Sequence, residues 1–179
     1  FQSTDDPKVG PKANQAAVRD LEVAKGRWGG FEHFEYWEVS DRGHGLPEGG
    51  AEALLAKIEG YSRESSPSYL VWQPRVDWKQ QFYWLLWEGG SEVKGTVIAK
   101  VDRVRGTVDV RLERTRGKGL CVLLSEELVD MEGEVTVFAN GVKVFEGVPQ
   151  PDFATWVRGR ALRDPGRAYS VRIPLQLAD

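Results

Sequence analysis

The sequence predicts a mixed fold, with βα elements over residues 1–67 and an antiparallel β-sandwich carrying one helix over residues 68–179. Three observations lead there. Residues 1–66 carry 8 Lys/Arg against 12 Asp/Glu, whereas the remaining 113 residues carry 16 against 15, so the composition changes near residue 66. The polar, Pro-containing stretch Ser62–Ser68 (SRESSPS) lies at that change and reads as a linker. Beyond it, short β-rich runs recur at roughly ten-residue spacing with Gly, Pro or Asn-Gly in most gaps, the punctuation of a two-sheet fold.

The first part reads loop, helix, strand, loop, helix. Asn14 is placed to cap a helix running to about Lys25, with Ala17, Leu21 and Ala24 on one face and Gly26 as its stop. Phe31–Val39 (FEHFEYWEV) is aromatic or β-branched at most positions and reads as a strand. Its poor alternation suits a strand covered on both faces, as in a parallel sheet. Ser40–Gly49 is an irregular loop. Gly50–Glu59 follows as a short helix, with Leu54, Leu55 and Ile58 on one side and Gly60 at its end.

The second part supplies eight strands: Tyr69–Trp72, Gln80–Trp87, Glu92–Asp102, Thr107–Arg114, Leu120–Leu124, Glu134–Ala139, Lys143–Gly147 and Ala168–Gln176. Val108, Val110 and Leu112 alternate with Asp109, Arg111 and Glu113, which predicts one wet face. Asn140-Gly141 is the clearest turn, because a two-residue type I′ hairpin needs positive φ at both positions. Phe153–Arg163 reads as a helix with Phe153, Trp156, Val157 and Ala161 on one side, which puts Trp156 at the contact with the sheet, and Asp164-Pro165-Gly166 ends it.

Composition removes several classes of function. The net charge of −3 gives no electrostatic case for nucleic acid. No apolar run is long enough for a membrane-spanning helix. A single cysteine, Cys121 among Leu120, Val122, Leu123 and Leu124, excludes an intrachain disulfide and reads as a small buried apolar residue. No His, Cys or carboxylate group has ligand spacing, so a metal site is not expected, and the reading includes no cofactor. The compartment stays open, export included.

Two histidines remain. His33 lies within the strand Phe31–Val39 and reads as a strand residue. His44 sits in Gly43-His44-Gly45, on a loop between a strand and a helix, where the glycines allow a sharp turn and close approach to the imidazole. Upstream, Ser3-Thr4-Asp5-Asp6-Pro7-Lys8-Val9-Gly10-Pro11 is an acidic loop that leads into the first helix. The chain therefore runs acid loop, helix, strand, His loop, helix, with the acid and the histidine 38 residues apart.

This order resembles the end of the α/β-hydrolase fold, in which the acid follows one sheet strand and the histidine follows the next. Asp6-Pro7-Lys8-Val9 with Pro11 matches the acid pattern, Phe31–Glu59 matches the strand, Gly-His-Gly loop and helix, and Phe1-Gln2 would end the preceding strand. The resemblance spans about residues 1–62. It implies that His44 is a general base and Asp6 its orienting acid, with Asp5 as the fallback. The family's nucleophile sits in Gly-x-Ser-x-Gly ahead of both, and that motif does not occur here. The expectation is therefore the C-terminal portion of an esterase- or peptidase-type serine hydrolase, cut ahead of its acid loop. On that expectation the chain is inactive alone. Its partner is the missing N-terminal half, on the same precursor or a separate chain, and its substrate is a small ester or peptide.

Val135–Val148, the helix after it and Arg163-Asp164-Pro165-Gly166 resemble a β-sandwich appended to some bacterial hydrolases of the esterase and prolyl-peptidase type. Trp72–Trp78 and Phe82–Leu85 resemble the joining segment. The contrasting expectation is a noncatalytic binding or assembly module with a chance Asp–His pair. In that case Trp72, Trp78, Tyr83, Trp84 and Trp87 would stack on sugars or a polymer, rather than fill a core.

Overall fold

The computed structural model describes residues 1–29, 34–90, 95–161 and 168–176. Its fold is mixed and sheet-rich, and the chain divides into two compact units, Phe1–Arg63 and Glu64–Asp179. The division falls inside Ser62–Ser68, four residues ahead of the boundary expected at 67/68. Three bonds tie residues 66 and 67 to the second unit. Ser66 Oγ donates to Glu127 at 2.6 Å, Arg103 donates to the Ser66 carbonyl at 2.5 Å, and Trp84 Nε1 donates to the Pro67 carbonyl at 2.7 Å.

The first unit contains β1 (Gln2–Ser3), α1 (Pro11–Trp28), β2 (Glu38–Val39) and α2 (Gly50–Ile58). β1 and β2 pair in parallel, Gln2 opposite Glu38 and Ser3 opposite Val39, with α1 as the crossover. The Gln2 N–H to Trp37 carbonyl (2.9 Å) and Thr4 N–H to Val39 carbonyl (2.8 Å) bonds continue the ladder at either end.

α1 corrects the sequence reading at both ends. Gly10 is its N-cap, Pro11 opens the first turn, and Asn14 lies inside the helix. Pro is suited to that position because its missing N–H has no partner there anyway. Gly26 is interior, where glycine costs about 1 kcal/mol without ending a helix. The end comes at Gly29, with φ 76 and its N–H on the Lys25 carbonyl at 2.8 Å. Neither helix of this unit has a buried residue, and Ala17, Leu55 and Ile58 are exposed. Of the expected strand Phe31–Val39, Phe31–His33 lie outside the described residues. Phe34–Trp37 are irregular, and only Glu38–Val39 form strand.

The second unit contains β3 (Tyr69–Trp72), β4 (Gln81–Phe82), β5 (Leu85–Trp87), β6 (Thr96–Asp102), β7 (Thr107–Glu113), β8 (Leu120–Leu124), β9 (Val135–Ala139), β10 (Val142–Gly147), α3 (Phe153–Ala161) and β11 (Val171–Pro174). They form a five-stranded sheet, β10-β9-β7-β6-β3, and a four-stranded sheet, β11-β8-β5-β4. Both sheets feed one core, with Trp72, Val97, Val108 and Val135 from the first and Leu85, Trp87, Val122 and Ile173 from the second. Cys121 is buried in it. Val108 and Val110 face inward while Asp109 and Arg111 are exposed.

The wholly antiparallel expectation fails at one seam: β7 and β9 pair in parallel. The intervening strand β8 belongs to the other sheet, so the chain returns to β7 in its original direction. The expected strand Gln80–Trp87 is a hairpin instead. Gln81 pairs with Leu86 and Phe82 with Leu85 around Tyr83-Trp84, with Tyr83 at φ 50. A bulky residue at positive φ is strained, and the buried Trp84 indole bonded to Pro67 holds the turn in place. Asn140 (φ 50) and Gly141 (φ 79) make the expected two-residue turn between β9 and β10.

α3 is turned relative to expectation. Thr155 and Gly159 are buried, whereas Phe153 is 77% exposed and Trp156 is 41% exposed. Small residues at i and i+4 let a helix approach a sheet more closely than an indole would. Phe153 and Trp156 stack on each other at 6.0 Å. No helix among the described residues is long and apolar enough to cross a membrane.

Candidate active site

β1 delivers the chain into the acid loop. Gln2 and Ser3 are 4% and 2% exposed, and their side chains organise that loop. Gln2 Nε2 donates to the Val9 carbonyl at 3.0 Å, and the Asn14 carboxamide donates to Gln2 Oε1, tying the loop's end and the first turns of α1 back to the strand. Asp6 turns the loop on itself: its Oδ1 accepts the N–H groups of Lys8 (2.8 Å) and Val9 (2.9 Å). Pro7 suits this turn, since its fixed φ favours a turn and it has no N–H to satisfy.

The histidine loop leaves β2. It runs through Asp41 (φ 62) and Gly43 (φ 51), in the left-handed region where a side chain is costly. The Gly45 N–H closes a tight turn on the Arg42 carbonyl at 3.0 Å, and a Cβ at Gly45 would lie 2.9 Å from that oxygen. Each glycine of Gly43-His44-Gly45 thus has its own reason, φ at the first and space at the second.

The two loops meet. His44 Nδ1 lies 3.0 Å from Asp6 Oδ2 and 3.2 Å from Oδ1. The Asp6 side chain is 10% exposed and that of His44 is 50% exposed. The backbone N–H of Val9 and then the His44 ring hold the Asp6 carboxyl down at about 2, against a smaller opposing effect of burial. An ionised carboxylate only accepts, so Nδ1 carries the proton and donates it. When the ring is neutral this leaves the lone pair on Nε2, the tautomer a general base requires.

Asp5 makes different contacts. Its Oδ1 accepts from Ser3 Oγ, from the Gly43 N–H at 3.2 Å and from the Arg42 N–H at 3.3 Å. The Ser3 hydroxyl, then these backbone groups, hold its carboxyl below the usual aspartate range. Asp5 grips the backbone of the histidine loop, while Asp6 grips the ring.

Other sequence candidates fall elsewhere. His33 lies outside the described residues. Among the described residues no serine hydroxyl is bonded to His44, and Ser40 in the same loop donates to Asp41 at 3.2 Å. No three His, Cys, Asp or Glu side chains converge as a metal site among the described residues. Trp72, Trp84 and Trp87 are buried, Tyr83 is half-buried, and Trp78 is 76% exposed, so these aromatic rings do not share one surface. Sequence reasoning reads Gln2 as a strand end, Ser3 as part of the acid loop and Asn14 as a helix cap, and gives none of the three a part in holding the site. Buried polar side chains at the end of a strand carry no periodic signal, although Ser3 two residues before Asp5 is the spacing of a local side-chain bond.

No family model, curated protein or solved structure matches this chain.

Proposed function

We propose that this chain is the C-terminal part of a serine hydrolase of the α/β-hydrolase type, acting on a small ester or peptide, with His44 as general base and Asp6 as its orienting acid. The observation that carries the reading is the Asp6–His44 contact at 3.0 Å between two loops 38 residues apart. A serine hydroxyl is a poor nucleophile at neutral pH. His44 Nε2 takes its proton during attack and returns one to the leaving group, while Asp6 stabilises the imidazolium without being protonated itself. The low pKa of Asp6 suits that role, and so does the half-exposed ring, whose free edge must meet a serine from elsewhere.

The nucleophile and the oxyanion donors lie outside this sequence, on the remainder of the hydrolase. Features of the first unit support such a partner. A two-stranded sheet is marginal on its own. Beside it lies a cavity of about 390 Å³ lined by Phe1, Phe34, Trp37, Leu54, Ile58 and Tyr61 together with the ion-paired Glu35 and Lys57. The second unit is an accessory domain and performs no chemistry.

The coding sequence ahead of Phe1 provides the test. It is expected to encode a strand–Gly-x-Ser-x-Gly–helix segment. Co-expressed with that segment, the chain should hydrolyse an activated acyl ester, and His44→Ala should cut turnover by several orders of magnitude, on the order of 10⁴-fold or more. Residues 1–179 alone should show no turnover. An unchanged rate in His44→Ala, or turnover by the lone chain that His44→Ala abolishes, overturns the reading.

A further inference from the structure

We propose that Asp5 is the positioning residue of the pair: its carboxylate locks the backbone of the histidine loop onto the acid loop, and this lock brings the His44 ring to Asp6. The inference rests on the Asp6–His44 pairing described above and assigns its neighbour a separate task.

Packing holds His44 only in part. Its side chain is 50% exposed, so packing leaves half of the ring free. The loop from Ser40 to Leu46 has no regular structure, and its internal bond between Gly45 and Arg42 shapes the turn without fixing where the turn sits. Placement requires a bond from this turn to another element. Asp5 supplies it, because Oδ1 receives the Gly43 N–H at 3.2 Å and the Arg42 N–H at 3.3 Å, the two residues immediately before His44.

Ser3 completes the lock. It is 2% exposed, its hydroxyl donates to Asp5 Oδ1, and its oxygen lies 3.3 Å from the Arg42 N–H. Ser3 belongs to β1, so the lock is anchored in the sheet. The carboxylate is matched to the task, since one ionised oxygen can accept from several donors. The Asp6 carboxylate is already committed to Lys8, Val9 and the ring, so the two neighbouring aspartates do not exchange roles.

The test uses the full chain with ¹⁵N-labelled backbone and histidine, the His44 ring signals being assigned by their loss in His44→Gln. Asp5→Ala removes the acceptor. Exchange of the His44 Nδ1 proton with solvent should accelerate about tenfold or more, the factor expected when hydrogen bonds to a charged group are lost from a local opening equilibrium. Asp5→Asn keeps an oxygen at the same place. The Arg42 and Gly43 amide protons should move upfield as their acceptor becomes neutral, with the Nδ1 proton retained. Asp6→Asn should leave those two amides in place while weakening the ring contact. Unmoved amides in Asp5→Asn, or unchanged Nδ1 exchange in a folded Asp5→Ala, overturn the proposal. If Asp5→Ala unfolds the unit, the Asp5→Asn amides decide. The readout needs no nucleophile and no turnover, so failure of the hydrolase reading leaves this result standing, and the reverse holds too.

Discussion

Replacing Trp84 by alanine should destabilise the second unit far more than replacing Trp156, although both tryptophans lie in apolar stretches of sequence. Trp84 is 0% exposed, and its Nε1 donates to the Pro67 carbonyl at 2.7 Å. Truncating a buried aromatic costs about 3–5 kcal/mol, and the lost hydrogen bond adds about 1 kcal/mol. The total, about 4–6 kcal/mol, is a large part of the roughly 5–15 kcal/mol that holds a typical domain. Trp156 is 41% exposed on the outer side of α3, stacked on a Phe153 that is itself 77% exposed. Partial burial at about 25 cal/mol per Å², offset by the better helix propensity of alanine, leaves about 1–2 kcal/mol. Urea unfolding of residues 1–179, followed by far-UV circular dichroism, separates the two if the slope is unchanged and the midpoint moves. Trp84→Phe should fall between them, because it fills most of the space but loses the N–H. Equal midpoint shifts for Trp84→Ala and Trp156→Ala would refute this account of the core and of the orientation of α3.

Asp6 should titrate at about 2 in the folded chain, as followed by its side-chain carboxyl carbon. Its folded value lies below the ordinary 3.8, so its contribution is fully present above that value and is lost as pH falls through about 2. A midpoint near 4 would separate it from the ring and from the Lys8 and Val9 amides. Gly45→Ala should shift the His44 ring signals and cost about 1–3 kcal/mol within the loop, because its Cβ would meet the Arg42 carbonyl at 2.9 Å. Gly26→Ala should instead stabilise α1 by about 0.5–1 kcal/mol, since it lies within the helix with nothing within 4 Å of its Cβ, and a loss of stability there would count against the helix assignment.

How much the sequence reveals depends on how local each cause is. The Asn140-Gly141 turn is legible because two residues alone set the φ values that a short hairpin needs. The alternation of Val108 and Val110 with Asp109 and Arg111 is legible for a similar reason, since a strand has one wet face whatever its neighbours. The Tyr83-Trp84 turn carries no turn residues and exists because a distant carbonyl, that of Pro67, receives the indole. The parallel β7–β9 pairing is a consequence of the sheet to which β8 belongs, which no window of sequence contains. Hydrophobicity alone points Trp156 inward, whereas α3 buries the small side of the helix, Thr155 and Gly159. At the site, Asp6 and His44 are visible as residue types in order. Their supports are not, because Gln2, Ser3 and Asn14 act through side-chain hydrogen bonds that depend on how the strand end, the loops and the helix meet.

The first unit places its site by polar means. Among its described residues only Gln2, Ser3 and Pro47 are buried, and two of those three are polar side chains at the strand end that feeds the acid loop. Gln2 holds Val9 and Asn14, Ser3 holds Asp5 and Arg42, Asp5 holds Gly43, and Asp6 holds His44. Such a network fixes directions well but adds little stability, because its neutral bonds contribute about 1 kcal/mol net each and its bonds to the Asp5 and Asp6 carboxylates are open to solvent, which weakens them. Apolar burial is the usual source of the rest, and in this unit the large apolar residues Val23, Leu46, Leu55, Ile58 and Tyr61 are exposed. A surface of this kind gains from being covered. Covering it would stabilise the sheet that carries both loops without touching the contacts between them. The Asp6–His44 geometry should therefore be set within this chain and, on the proposed function, its persistence by the remainder of the hydrolase packed against α2 and the Trp37 cavity. Hydrogen exchange at the Gln2 and Thr4 amides, which bond to Trp37 and Val39, reads that persistence directly. It should slow when the remainder of the proposed hydrolase is present, while the Nδ1 proton signal keeps its chemical shift.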